Sequence, residues 1–361
     1  MPAQGLGSST ARYRALNRRR LAFLLLLAVI LAGAAVHAII VGSYGMGIGD
    51  VFDAITGSGE GAANVVVWNI RLPRIVAAIV CGWGLAVTGL VLQSLLKNPL
   101  ASPLTLGISH GAAFGAAVSI VILGALQPVA TGSRTAQAAS LMAEHLHSVT
   151  FAAFVGAMTV TIIILMLARL KRLSPEAVIL AGVALNALSV SGTFLIQYFA
   201  SELEVAMVLF WTFGDVARSS WLEIGITAAA TVLVTTYFAF NRWNLNAMCT
   251  SDECARGLGT PVERLRFVGM FLATVLIAFI TAYHGIINFL GLLTPHIARR
   301  VAGADHGLLL PFSCVIGAIL LLVSDTVGRL AVGSSAMPVG VVTSFMGAPL
   351  FLYLLIRGKS R

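Results

Sequence analysis

Apolar and polar residues alternate along this chain in blocks of about twenty, far longer than the periods that mark amphipathic surface helices or half-buried strands. Leu21–Val41 is a predominantly apolar run of 21 residues. As a helix rising about 1.5 Å per residue, it reaches across the roughly 30 Å hydrocarbon core of a bilayer. Comparable runs recur at Arg74–Leu95, Leu104–Leu123, Val149–Ala168, Ser174–Phe199, Ser220–Phe240, Phe267–His284, Ile286–Val301, Leu308–Val332 and Pro338–Ile356. A cleaved signal peptide has a shorter apolar core, so the first run is read as a retained span. Ser174-Pro175-Glu176 gives the fifth run an N-cap, a proline at N1 and an early acid. The eighth run is short and contains Pro295; it is kept because deleting it would place the basic clusters on its two sides on opposite faces of the membrane. The pattern predicts an all-α, polytopic membrane protein with about ten transmembrane helices. It comprises a basic tail (1–20), a ten-helix domain (21–357) and a short second tail (358–361). No internal sequence repeat stands out, although two five-span halves could conceal an inverted one.

Between the second and third runs lies a short turn holding Lys97, Asn98, Pro99, Ser102 and Pro103. It is too rich in proline for one uninterrupted helix and is read as the tip of a hairpin of membrane-buried helices. The third run carries Gly107, Gly111 and Gly115. At four-residue spacing these line one helix face, where another backbone can approach closely.

Composition strengthens the membrane reading. Of 361 residues, 58% are hydrophobic and 10% charged, against about 25% charged in soluble domains. The net charge of +9 lies in short clusters between apolar runs, with no basic face interleaved with aromatics, which argues against nucleic acid. On one side fall Arg12, Arg14, Arg18, Arg19 and Arg20, Lys97, the 169–172 cluster, the basic residues of 242–266, Arg299, Arg300 and the C-terminal cluster. Together they make 18 of the 23 lysines and arginines. Arg71, Arg74, Arg134, Arg218 and Arg329 fall on the other. The bias places both termini in the cytoplasm of a cell whose inner membrane the chain crosses repeatedly. Cys81 and Cys314 lie in apolar runs, Cys249 and Cys254 in the basic loop; without a CxxC pair they are read as small filler residues.

Two constellations carry candidate chemistry. In the cytoplasmic loop 241–266, Thr250 and Glu253 have capping-box spacing, Ala255 lies in the helix they would start, and Gly257, Leu258 and Gly259 end it. Thr260, Pro261 and Glu263 then repeat the device with proline at N1. Two short helices joined at a glycine turn form a compact knob suited either to connecting two spans or to engaging a moving partner. At the opposite face, Arg71 and Arg74 bracket Leu72-Pro73, and Asp325 and Arg329 stand four apart. A charge near mid-bilayer costs about 3 kcal/mol, so a helical ion pair is the natural mitigation.

Other chemistry is excluded or weak. Gly358-Lys359-Ser360 follows a membrane span rather than a strand and has Tyr353 where a phosphate-binding loop needs glycine. His145 and His147 alone make a poor metal site, and His296 beside Pro295 reads as structural. No His/Asp/Glu cluster recurs on one span, so the chain is not expected to be an enzyme. An ion-coupled secondary transporter would need ionisable groups near the midplane. Only Asp325 qualifies, with Arg329 placed to neutralise it.

Several stretches in order carry a family resemblance. They are RLPR (71–74), LQSLLKNPLASPLTLGISHGA (92–112), ILAGVALNAL (179–188), the E-x-A-x-x-LG of Glu253–Gly259, FLGLLTPHIAR (289–299), ADH (304–306), SDTVGR (324–329) and PVGVVTSFMGAPLFLYLL (338–355). Over almost its whole length the chain resembles the FecCD family, the permease subunits of ABC importers for iron–siderophores, haem and vitamin B12. It departs from the family's G-P-I-G-F at Gly285-Ile286-Ile287-Asn288-Phe289, where Asn288 replaces a glycine. The resemblance implies a type II importer permease working as a homodimer or with a paralogous permease, and surrounded by lipid. It implies two cytoplasmic ATPase subunits, which use ATP and Mg²⁺, docked on the knob, and no cofactor or metal held by this chain. It also implies an extracytoplasmic binding protein whose glutamates pair with Arg71, Arg74 and Arg329.

Overall fold

A computed structural model describes residues 4–42, 45–56, 61–124, 136–171, 173–331 and 337–357. Every regular element among them is helical. In chain order they are α1 (Gln4–Ile40), α2 (Ile48–Thr56), α3 (Ala62–Val66), α4 (Leu72–Leu95), α5 (Ile108–Ala117), α6 (Ala136–Leu170), α7 (Pro175–Phe199) and α8 (Glu202–Thr212). There follow α9 (Trp221–Phe240), α10 (Arg242–Met248), α11 (Asp252–Gly257), α12 (Val262–His284), α13 (Leu290–Ala302), α14 (His306–Ala331) and α15 (Val339–Arg357). The tail at 358–361, including Gly358–Ser360, and Arg134 lie outside the described residues.

Seven helices among the described residues are long and apolar enough to cross a membrane, and they match seven of the ten predicted spans. The other three are shorter. The third starts at Ile108 rather than Leu104, after a series of turns, and finishes with a π turn at Val118–Ile122. The tenth holds an apolar stretch at Val339–Tyr353. The eighth needs correction, because α13 has only 13 residues, about 20 Å of helix. Residues 285–302 nevertheless carry the chain back along α4, from the level of Cys81, which His284 touches, to that of Ser94, which His306 touches. They do so as a non-helical stretch followed by a short helix. Such backbone is tolerated at membrane depth because protein, not lipid, surrounds it. The basic tail is also not a separate coil, since α1 begins at Gln4 and runs without a break into the first span.

The second span occupies the centre of the molecule. Nineteen of the 24 residues of α4 are buried, enclosed by α9, α12, α13 and α14. Small residues make this possible: a Cβ on Gly82 would collide with the backbone of Gly317, and one on Gly89 with the backbone of Gly291. Without a hydrophobic drive between helices in lipid, such close contact supplies the dispersion energy of association. After the turn, α5 packs on the neighbouring α6 and α7 rather than on α4. Of the three predicted packing glycines, Gly111 and Gly115 lie against α6, around Gly156 and Ala152. Gly107 stands before the helix in a left-handed conformation (φ 74°) and lies against Asn186 of α7.

Candidate functional site

The predicted functional residues gather at the two ends of the bundle, as the charge pattern required. At one end α4 begins, α14 finishes, and α1 terminates between them. Asp325, on α14, is fully buried. Arg74 Nε donates to both its carboxylate oxygens at 2.8 and 3.1 Å. Arg329, one helical turn on, lies 3.3 Å from Oδ2, close enough for charge attraction although its Nε–H is not aimed as a hydrogen bond. The predicted Asp325–Arg329 pair is therefore present, with Arg74 as the stronger and unanticipated partner. Asp215, on the turn after α8, adds a second acid 3.9 Å from Arg74 Nη2.

These arginines also terminate α1. The last carbonyls of a helix lack intrahelical donors. Here Arg329 donates to Ala38 and Val41 at 3.2–3.3 Å, while Arg71, 4% exposed, donates to Ile40 at 2.9 Å and to Ile39. All three arginines expected to face a second protein thus have partners inside the chain. At the last residue of α12, His284 bonds Ser219 at 2.7 Å and contacts Cys81 at 3.6 Å. The sequence offered no signal for that buried group.

At the Asn288 departure, backbone packing is held by other residues. Gly285, Gly214 and Gly340 bring the 214, 286 and 340 backbones together. Asn288 Oδ1 has no hydrogen-bond partner and borders a cavity of about 180 Å³ shared with Ser102, Thr105 and Ser109. Phe289 takes the left-handed conformation (φ 65°) and so turns the chain into α13.

The opposite end carries the knob. Its cap is displaced by one residue from the predicted one. Ser251, not Thr250, caps α11 by accepting from Cys254 N at 3.0 Å, and Thr250 instead donates to Ala247 O. N-capping requires only a hydroxyl facing the N3 amide, so adjacent Thr and Ser compete and Glu253 forms no capping box. Nor does a second short helix follow. Pro261 flanks α12, the whole seventh span, without a side-chain cap, and Glu263 pairs with Arg256 across the surface at 2.6 Å. Thr260 and Ala255 are buried, Leu258 is 74% exposed at the tip, and Gly259 turns the chain at φ 82° with open space around it.

Arg266, 1% exposed, holds the knob to the bundle. It donates to the carbonyls of Leu95 and Leu173, each at 3.0 Å. With its remaining nitrogen it grips both oxygens of Asp252 at 3.0 and 3.1 Å. Lys97, at the end of α4, meets the same carboxylate at 2.6 Å. Burial alone would raise the Asp252 carboxyl, but hydrogen bonds and charge from Arg266 and Lys97 outweigh it and hold it at about 2. A carboxylate depressed in the folded state stabilises above its unfolded value, near pH 4, and loses that contribution as pH falls toward 2. Hydrogen exchange of residues 250–258 should accordingly be flat from pH 7 to about 4, after allowing for intrinsic rates, and quicken below it. Loosening already complete at pH 5 would mean that Asp252 does not fasten the knob.

A second set of bonds reinforces this end. Asn246 joins Asp305 and His306, at 2.7 Å to each side chain, and His306 reaches Ser94 at 2.8 Å. His296 accepts the structural role expected of it, bonding Pro99 O at 3.0 Å. Among the described residues no group of three or more His, Cys, Asp or Glu could hold a metal ion, and the four cysteines are free.

Comparison with known proteins sets this architecture in a family. The model of the FecCD transport family matches residues 24–357. A provisionally named ABC transporter permease protein of Methanocaldococcus jannaschii is 44% identical over 97% of this chain and 98% of its own. The Fe(3+)-citrate import system permease protein of Bacillus subtilis is 35% identical over 94% and 96%. A solved structure described as an inward-facing conformation of a metal-chelate type ABC transporter, itself provisionally assigned, superposes with a TM-score of 0.77 at 27% identity. It covers 93% of this chain and 99% of that one. With an all-helical, multi-pass membrane fold and a family match across nearly its full length, the chain belongs to the FecCD transport family.

Proposed function

We propose that this chain is the transmembrane subunit of an ABC importer that moves an iron chelate, a ferric siderophore first among them, from a binding protein into the cytoplasm. The observation that carries the reading is the knob. It is anchored through Arg266 and Asp252 to the ends of α4 and α6, and it exposes Leu258 at its tip. A lever fixed to the helix ends and apolar at its tip transmits force from a moving ATPase, which a passive connector does not need. Hydrolysis then belongs to two separate ATPase subunits, and a second permease copy completes the path. Charge bias assigns both termini, like the knob, to the cytoplasmic side. The relative importing ferric citrate supports the cargo class, and haem or cobalamin is the alternative within the same architecture.

Docking of the binding protein is placed at the other end, around Arg71, Arg74 and Arg329. Because their guanidiniums already hold α1 and Asp325, any pairing with a partner's glutamates shares or displaces those internal bonds.

One reconstitution tests the whole reading. Proteoliposomes holding this chain, its ATPase and its binding protein should take up a ferric siderophore with ATP inside. Uptake of haem or cobalamin alone would reassign the cargo. Gly259→Val places a β-branched residue at φ 82°, strained by about 1–3 kcal/mol although nothing crowds it. It should abolish uptake while the variant still assembles in the membrane. Parental transport by that variant would show that the knob is only a connector.

A further inference from the structure

A cavity of about 220 Å³ opens at the knob end, lined by Gln93, Ser94, Lys97, Cys249, Arg299 and His306, with no acidic side chain in its wall. Arg299 makes a single hydrogen bond, from Nη1 to Gln93 Oε1 at 2.7 Å, and has no carboxylate partner among the described residues. A guanidinium has five N–H donors, and none of Arg299's others is sealed in the interior without a partner. Lys97 spends one contact on Asp252 and keeps further ammonium donors. His306 is not available to bind anything, since both its ring nitrogens are taken, by Ser94 and Asn246. Asp305 is engaged with Asn246. Asp252, the nearest acid to Lys97, is shared with Arg266, so one carboxylate serves two cations. Lys97 and Arg299 both line the cavity together with Cys249, so their charges face the same space.

Two cations with unused donors lining a cavity that lacks any acid, its remaining wall including the apolar Pro99 and Ala304, form a site for an anion. A carboxylate presents two oxygens in a plane. A phosphate group presents three or more, with up to two negative charges, and better matches a forked guanidinium converging with an ammonium. We infer that this cavity binds a phosphate group, with Arg299 and Lys97 as its ligands. The group is either a soluble phosphate or the headgroup of an anionic phospholipid, since the cavity lies beside the knob at the ends of the spanning helix α4 and of α13. The inference rests on the charges in the cavity and not on the transport reading; the family assignment could fail and leave it intact.

Radiolabelled inorganic phosphate should bind the full chain saturably in lipid-free detergent at constant ionic strength. Arg299→Gln should weaken that binding about tenfold or more, the loss of charge-assisted hydrogen bonds. Arg299→Lys should weaken it less, and Arg264→Gln, on the exposed face of the knob, should leave it unchanged. Nanodiscs separate the sources. Binding that persists in discs with and without phosphatidylglycerol identifies a soluble phosphate; binding that persists only without it identifies the lipid headgroup as occupant. No saturable binding, equal binding by the parent and Arg299→Gln, or equally effective competition by acetate would overturn the assignment.

Discussion

Asp325→Asn is expected to destabilise the folded chain by about 3–5 kcal/mol, the cost of removing one member of a buried charge cluster. The carboxylate is fully buried, with Arg74 at 2.8 Å and Arg329 at 3.3 Å. Without its charge, both guanidiniums stay in a poorly solvated setting with only Asp215, at 3.9 Å from Arg74, in opposition. Thermal unfolding in a mild detergent should show a markedly lower midpoint. Replacing the cluster whole, as Arg74→Met with Asp325→Leu and Arg329→Met, should recover much of the loss, because apolar residues of similar volume commonly substitute for buried ion pairs. Recovery will be incomplete, since Arg329 also satisfies carbonyls of α1. If Asp325→Asn unfolds with the parent, water reaches the cluster and the buried ion-pair reading is wrong.

Arg266→Met should be comparably damaging at the opposite end, again about 3–5 kcal/mol. The substitution keeps the aliphatic volume but orphans the carbonyls of Leu95 and Leu173, at about 1–3 kcal/mol for each buried acceptor left unmade. It also leaves Asp252 to Lys97 alone. Arg264→Met, two residues earlier and exposed, should change stability by no more than about 0.5 kcal/mol. Beyond lower stability, Arg266→Met should speed hydrogen exchange in residues 250–258 more than in α4. Equal effects from the two variants would show that Arg266 fastens nothing. Selective exchange in the knob together with normal global stability would mean that the anchor is local only.

Features that depend on segment length and charge bias were legible in the sequence. The apolar runs locate seven full spans, and the arginine distribution puts Arg71, Arg74 and Arg329 at one end and Lys97, Arg266 and Arg299 at the other. Features resting on contact between distant segments were not. Arg74 meets Asp325 across 251 positions and Arg266 meets Leu95 across 171, so the nearer i, i+4 candidate, Arg329, was the only partner that spacing could propose. That α5 packs on α6 and α7 was illegible for a related reason: a short turn fixes proximity of the ends but not which face each helix buries. Spacing aligns Gly107 with Gly111 and Gly115 but carries no φ, and a left-handed residue before a helix does not share its face. At the knob, the error between Thr250 and Ser251 is a single residue, within the ordinary ambiguity of helix ends.

The enclosure of α4 bears on how the protein is made. This helix leaves the ribosome early, carrying Arg71 and Arg74 with it, while the aspartate that neutralises Arg74 is 251 positions away and belongs to the penultimate helix. Until α14 is inserted, the side of α4 that it covers must wait beside lipid or an insertase. The surface around Gly82, which meets Gly317 of α14, then has no backbone to pack on, and Arg74 has no Asp325. Assembly is thus governed by contacts of large sequence separation and completes late. A chain cut short before residue 325 loses more than a peripheral helix. It leaves Arg74 with only Asp215, 3.9 Å away, in place of the buried carboxylate that Nε grips at 2.8 Å.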